Sequence, residues 1–117
     1  MRDGFIKVAA VTPEVKVADI AFNLAEIKRR ITEAAAGGAK LIVFPELSIS
    51  AYSCRDIFFN DLLLQKSREA LLDIAAFSTD IDALIFVGLP ISRNGKLYNV
   101  AAAVNNGHIL GLVPKLN

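Results

Sequence analysis

Leu41-Ile42-Val43-Phe44-Pro45-Glu46-Leu47 is the stretch on which the reading of this chain turns. Four consecutive apolar residues, β-branched and aromatic among them, followed by a proline that cannot continue a central ladder, have the pattern of a strand covered on both faces. Directly behind the proline stands Glu46, so a carboxylate is delivered where a buried strand gives way to irregular chain. No hydrophobic period holds from Glu46 to Phe59, and Ser48, Ser50, Ser53, Asp56 and Asn60 mark this segment as a structured loop long enough to suggest function.

Outward from that strand the punctuation is regular. On the amino-terminal side, Phe5 to Thr12, with Ile6, Val8 and Val11, reads as a short buried strand stopped by Pro13. Ile20, Leu24, Ile27 and Ile31 then recur at helical spacing, with Asp19 as the amino-terminal cap and Gly37-Gly38 as the stop. On the other side a second helix begins near Asn60 or Asp61 and sets Leu64, Leu71, Ile74 and Ala75 on one face. Asp82 to Pro90 reads as another buried strand, Asn94-Gly95 as a turn, and Leu97–Val104 and Ile109–Val113 as an antiparallel hairpin joined at Asn105-Asn106-Gly107. Strand, helix, strand, helix and three further strands predict an α/β layered architecture in which amphipathic helices lie on a sheet.

Composition narrows the function classes. The chain has 117 residues, 54% of them hydrophobic and 21% charged, with a formal net charge of +1, which describes one core-forming globular domain. Near-neutral charge argues against nucleic acid and anionic membrane, since phosphate binding needs clustered Lys and Arg. The basic run Lys28, Arg29, Arg30 is balanced by Glu26 and Glu33 on the same helix and reads as a solvated face. A single cysteine allows no internal disulfide, which fits a reducing cytosol; no signal peptide is visible and the apolar runs are too short to span a bilayer. His108, beside the hairpin turn, has no second histidine or spaced cysteine with which to hold a metal.

Two charges remain. Glu46, taken alone, is a general base, an exposed strand-end acid or a helix-capping partner. Lys115 follows the apolar run Ile109-Leu110-Gly111-Leu112-Val113 and Pro114 much as Glu46 follows its own strand and Pro45. A lysine in that place is also the ordinary solvated guard of a sheet edge. Composition and periodicity leave both questions open.

Taken as a set, Val8-Ala9-Ala10-Val11, Gly37-Gly38-Ala39, Leu41 to Leu47, Leu97-Tyr98-Asn99-Val100-Ala101 and Gly111-Leu112-Val113-Pro114-Lys115 resemble the nitrilase superfamily of carbon-nitrogen hydrolases over essentially the whole chain. The resemblance implies a nitrilase-like α-β-β-α sandwich, incomplete in this chain, in which residues 1–117 are the amino-terminal part of the domain. It also places the base of the family's Glu-Lys-Cys triad at Glu46 and its lysine at Lys115. The nucleophilic cysteine of that triad lies beyond the lysine, so the 117 residues alone are expected to be inactive. Cys54 precedes the lysine and is not assigned that role.

The loop Ala51-Tyr52-Ser53-Cys54-Arg55-Asp56-Ile57-Phe58 resembles more narrowly the post-glutamate loop of glutaminase domains in glutamine-dependent NAD synthetases. By that likeness Tyr52 is a substrate contact in a glutamine pocket, while Ala51 stands where the family loop commonly has glycine. The implied chemistry is thiolate attack on the glutamine amide, release of ammonia and hydrolysis of the thioester, with Glu46 moving protons in both halves and cationic Lys115 stabilising the oxyanion. Such a carboxyl needs a pKa raised by burial. The ammonia would serve a separate synthetase domain, absent from this chain, that uses ATP and Mg²⁺ to amidate nicotinic acid adenine dinucleotide. No cofactor is expected in the present segment, and the intact protein is expected to be a cytoplasmic homo-oligomer. The alternatives are a stand-alone amidase acting on another amide and a non-catalytic interaction module of the same fold.

Overall fold

The computed structural model describes residues 7–13, 16, 19–45, 49, 61–93 and 96–114. Among the described residues five strands, β1 (Val8–Ala10), β2 (Leu41–Val43), β3 (Leu84–Arg93), β4 (Lys96–Asn105) and β5 (His108–Pro114), lie in chain order across one sheet. The first three are parallel, and β4 and β5 return antiparallel. Parallel neighbours need a crossover, and these are α1 (Ile20–Ala36) between β1 and β2 and α2 (Asp61–Phe77) between β2 and β3.

Helix α1 forms where the periodicity predicts it. The Asp19 carboxylate accepts a 3.1 Å hydrogen bond from the Phe22 amide, so one orphan donor of the first turn is satisfied. At the other end Gly38 takes φ 89°, a conformation that costs an L side chain steric strain. The Lys7 ammonium donates to the Gly37 carbonyl at 2.6 Å, a cation at the negative end of the helix dipole. Ile20, Ile27 and Ile31 are buried as expected. Lys28 and Asp73, 2.8 Å apart, tie α1 to α2 across an exposed gap, an ion pair worth at most about 1 kcal/mol.

The core sits between the helices and one face of the sheet. Ile42, Ile85, Val87, Leu89, Ala102 and Val104 are buried beneath Ile27, Ile31, Leu71 and Ile74. Because strand side chains alternate, the intervening residues share the other face: Val8, Ala10 and Val43 are exposed there, and Phe86, Ala101 and Ala103 are half-buried. The expectation of a β2 covered on both faces is therefore corrected. Its burial alternates, with Ile42 buried and Val43 exposed, because among the described residues the helices lie on one side only.

The hairpin from β4 to β5 closes through Asn106 and Gly107, both at positive φ (49° and 82°), the geometry of a two-residue type I′ turn. A bulge opposite Ala103 and Val104 leaves Leu110 without a cross-strand partner and 62% exposed. No helix among the described residues is long and apolar enough to cross a membrane.

Candidate active site

Both strands that lead into the two sequence-singled charges run in the same direction. β2 is parallel to β3, β4 reverses and β5 reverses again, so the carboxyl ends of β2 and β5 open at one edge of the sheet. They are separated by three strand spacings, about 14 Å of backbone. Between them lies an apolar cleft of about 370 Å³, a size that suits a small molecule. Its walls are Val43, Phe44 and Pro45 at the end of β2, Phe86 to Gly88 in β3, Asn99 to Ala101 in β4, and Val113 and Pro114 at the end of β5. The residue immediately before Glu46 and the residue immediately before Lys115 thus line one cavity, although 69 positions separate the two charges in sequence.

The approach to Glu46 is held at both ends. The Phe44 amide donates to the Phe86 carbonyl at 2.9 Å, extending the β2 to β3 ladder past the last regular residue. Three residues beyond Glu46, the Ile49 amide donates to the Gly88 carbonyl at 3.1 Å. The Ile49 side chain is fully buried in the core and its carbonyl accepts from the Asn23 carboxamide at 2.9 Å. Asn23 is itself fully buried and uses its remaining capacity on one backbone unit, accepting from the Lys16 amide at 2.7 Å and donating to the Lys16 carbonyl at 2.8 Å. Helical periodicity gave no reason to single out Asn23, because a polar residue beside an apolar stripe ordinarily faces water.

Glu46, Lys115 and Tyr52, together with Cys54 and the Asn94-Gly95 turn, lie outside the described residues. What the structure brings together is the chain immediately before Glu46 and before Lys115. Asn99 carries the only hydrogen-bonding side chain among the described residues of the cleft wall, and the sequence reading gave it no role beyond its place in the family segment. Its signal was one of parity: it falls in register with Ala101 and Ala103 on the otherwise apolar open face.

A larger groove of about 570 Å³ runs between the helices, lined by Asp19, Leu24, Lys66, Glu69 and Asp73 among others. Size alone does not make it the site, since it lies on the helical side, away from both strand ends. Nearby, Arg29 and Arg30 bracket Glu26, with contacts of 2.6 and 3.2 Å to Oε1, and both also reach Glu33. The hydrogen bond from Arg29, reinforced by Arg30, holds the Glu26 carboxyl below its ordinary pKa against a smaller opposing effect of burial. The basic run is thus neutralised on its own helix as expected, but it is not wholly solvated, since Glu26 is buried beneath the two guanidinium groups. Among the described residues, no three His, Cys, Asp or Glu side chains gather in a way that could hold a metal ion.

The described residues thus form a two-layer α/β unit with one apolar sheet face open and a cleft between the ends of two like-directed strands. The family model for carbon-nitrogen hydrolases matches residues 7–117, and the chain belongs to that family. Among its relatives, the glutamine-dependent NAD(+) synthetase of Mycobacterium tuberculosis is 38% identical over 114 residues, an alignment spanning 97% of this chain and 17% of that protein. The enzyme of the same name from Aquifex aeolicus is 31% identical over 99 residues, spanning 85% of this chain and 17% of the relative. The chain therefore spans less than a fifth of the length of these relatives. The crystal structure of a glutamine-dependent NAD(+) synthetase from Cytophaga hutchinsonii superposes with a TM-score of 0.90 at 29% identity, covering 96% of this chain and 19% of that one. An amidase from Nesterenkonia sp. superposes at 0.79 over all of this chain and 45% of its own, with 20% identity, a likeness of fold alone.

Proposed function

We propose that this chain is the leading part of the glutaminase domain of a glutamine-dependent NAD synthetase, with Glu46 as general base and Lys115 as oxyanion stabiliser. The observation that carries the reading is the cleft walled by both Pro45 and Pro114, the residues that immediately precede Glu46 and Lys115 in sequence. The identity to synthetases from several organisms supports the choice of substrate over that of other amidases.

In this reading the rest of the domain contributes the cysteine. Glu46 accepts the thiol proton as sulfur attacks the side-chain carbonyl of glutamine, and the proton passes to the departing ammonia. The negative charge that develops on the carbonyl oxygen is met by the Lys115 ammonium. Water, deprotonated by the same carboxylate, then cleaves the thioester to glutamate and free thiol. Tyr52 contacts glutamine. The apolar walls keep water from competing for the polar groups, which strengthens each electrostatic contact inside. The open sheet face is covered by the second half of the sandwich. The synthetase part of the protein, with ATP and Mg²⁺, consumes the ammonia, and the whole works as a cytoplasmic homo-oligomer.

The test uses the intact protein. Glu46→Gln and Lys115→Met each abolish NAD formation supported by glutamine, by at least about a hundredfold, and leave NAD formation supported by added ammonia intact. Glutamine-supported activity surviving in either variant would refute the assignment.

A further inference from the structure

Asn106 and Gly107 make the hairpin turn between β4 and β5, both at positive φ, 49° and 82°. A Cβ built at Gly107 would stand 2.9 Å from the Thr79 hydroxyl, so this position closes against the single turn of 3₁₀ helix, Ser78–Asp80, that follows α2. Asn106 is exposed. The turn thus favours an asparagine followed by glycine and presents the asparagine to water.

That pair has a chemistry of its own. The backbone nitrogen of Gly107 can attack the carboxamide carbon of Asn106 and close a five-membered ring, and a residue without Cβ leaves the approach unhindered. The new N–C bond forms as the bond from Cγ to the side-chain nitrogen breaks. The Gly107 amide proton passes to solvent, and the departing nitrogen takes up a proton and leaves as ammonia. Water then opens the cyclic imide at either carbonyl, giving aspartate or isoaspartate. No group is oxidised or reduced, and water is the sole co-reactant.

The fold opposes the first step. The Gly107 amide donates a 3.0 Å hydrogen bond to Ser78 Oγ, 29 residues earlier in the chain. Ser78 is fully buried, and it donates its own hydroxyl proton to the Ala75 carbonyl at 2.7 Å. A hydroxyl has one proton, so what Ser78 presents to Gly107 is a lone pair. A lone pair favours the N–H and disfavours the deprotonated nitrogen that ring closure requires.

We infer that Asn106 is a site of spontaneous deamidation, with Gly107 as the attacking residue and the Ser78 hydroxyl as the guard that slows the reaction in the folded protein. The inference is independent of the proposed function. Isoaspartate lengthens the main chain of a two-residue turn by one carbon and so disturbs the register that starts at the pair Asn105 and His108. Aspartate adds a carboxylate to the polar groove of about 410 Å³ that Asn106 lines with Asp80 and Asp82.

The experiment incubates the intact protein at mildly alkaline pH and follows conversion at Asn106 by peptide mass mapping. Asn94-Gly95, the other Asn-Gly pair of the sequence, is read in the same digests. Asn106 is expected to convert at least about threefold more slowly in native protein than in urea-unfolded protein. Ser78→Ala raises the native rate at Asn106 by about threefold to tenfold, the worth of one hydrogen bond, and leaves that at Asn94 unchanged. Ile20→Val, which removes a buried methylene at the amino end of α1, loosens the core without touching the turn and leaves Asn106 at its wild-type rate. A wild-type rate at Asn106 in Ser78→Ala overturns the inference, as does an equal rise in Ile20→Val or an Asn106 that stays intact in unfolded protein. Where Ser78→Ala does not fold, hydrogen exchange at the Gly107 amide of wild type decides: slowed exchange supports the guard, and free exchange removes it.

Discussion

The carboxamide of Asn23, in the first turn of α1, donates a 2.9 Å hydrogen bond to the backbone carbonyl of Ile49, 26 residues further along the chain and three residues past Glu46. With the Ile49 amide bonded to Gly88, this residue is gripped by a helix on one side and a sheet strand on the other. The chain that carries the candidate base is thereby anchored to both layers of the fold.

Asn23→Leu should therefore be among the most damaging substitutions in α1. Three hydrogen bonds vanish: the Ile49 carbonyl and the Lys16 amide lose this partner, and the Lys16 carbonyl is left with the 3.2 Å bond from the Asp19 amide. The expected cost is about 2–4 kcal/mol, read from denaturant unfolding of the intact protein. Asn23→Asp should cost no less, because it keeps only the bond accepted from the Lys16 amide and sets a buried carboxylate against the Ile49 and Lys16 carbonyls. A loss below about 0.5 kcal/mol in Asn23→Leu would show that Ile49 is held by its buried side chain alone.

The charge cluster on α1 gives a pH dependence of definite sign. Arg29 and Arg30 hold the folded-state pKa of Glu26 below its unfolded value, so the stabilisation is present above the ordinary glutamate pKa and is lost as pH falls through the lowered one. Glu26→Gln should leave a flatter acid limb of stability, with its largest deficit near neutral pH. Salt should shrink that deficit, since the arginines are largely exposed. Thermal unfolding between pH 3 and 7 at two ionic strengths tests both points. An unchanged acid limb in Glu26→Gln would assign the cluster no part in stability.

Two glycines at positive φ should respond differently to the same change. Nothing lies within 4 Å of a Cβ built at Gly38, so Gly38→Ala meets only the left-handed backbone penalty, about 1 kcal/mol. At Gly107 the added carbon would also stand 2.9 Å from the Thr79 hydroxyl, so Gly107→Ala should cost more. Thr79→Ala in the same molecule should recover the difference, the remaining Thr79 Cβ being 3.8 Å away. Equal costs at the two glycines, measured by chemical denaturation, would rule out the clash.

Much of the fold was legible because local chemistry and global packing agree. Asp19 caps α1 and Gly37-Gly38 ends it for reasons contained in a few residues. The hairpin at Asn106-Gly107 follows from two residues that tolerate positive φ. β3 was read short, since Pro90 suggested a stop, yet the strand continues to Arg93. Proline lacks a donor, but Pro90 sits on an antiparallel pairing with Asn99 that the ladder tolerates near its end. The coverage of β2 was misread because an all-apolar run is the same whether its second face is closed by a helix or left apolar for another layer.

The candidate site divides in the same way. Glu46 and Lys115 each follow a strand and a proline, and that much the residues alone determined, through periodicity and the imino ring's missing N–H. Whether two such endings meet depends on strand direction and order, and no local preference encodes either. Only the tertiary structure decided that β2 and β5 run the same way with two strands between them, so that Pro45 and Pro114 wall one cleft. Only it drew Asn23 out of the background, because the worth of a polar side chain lies in what faces it, and the Ile49 carbonyl it bonds is distant in sequence.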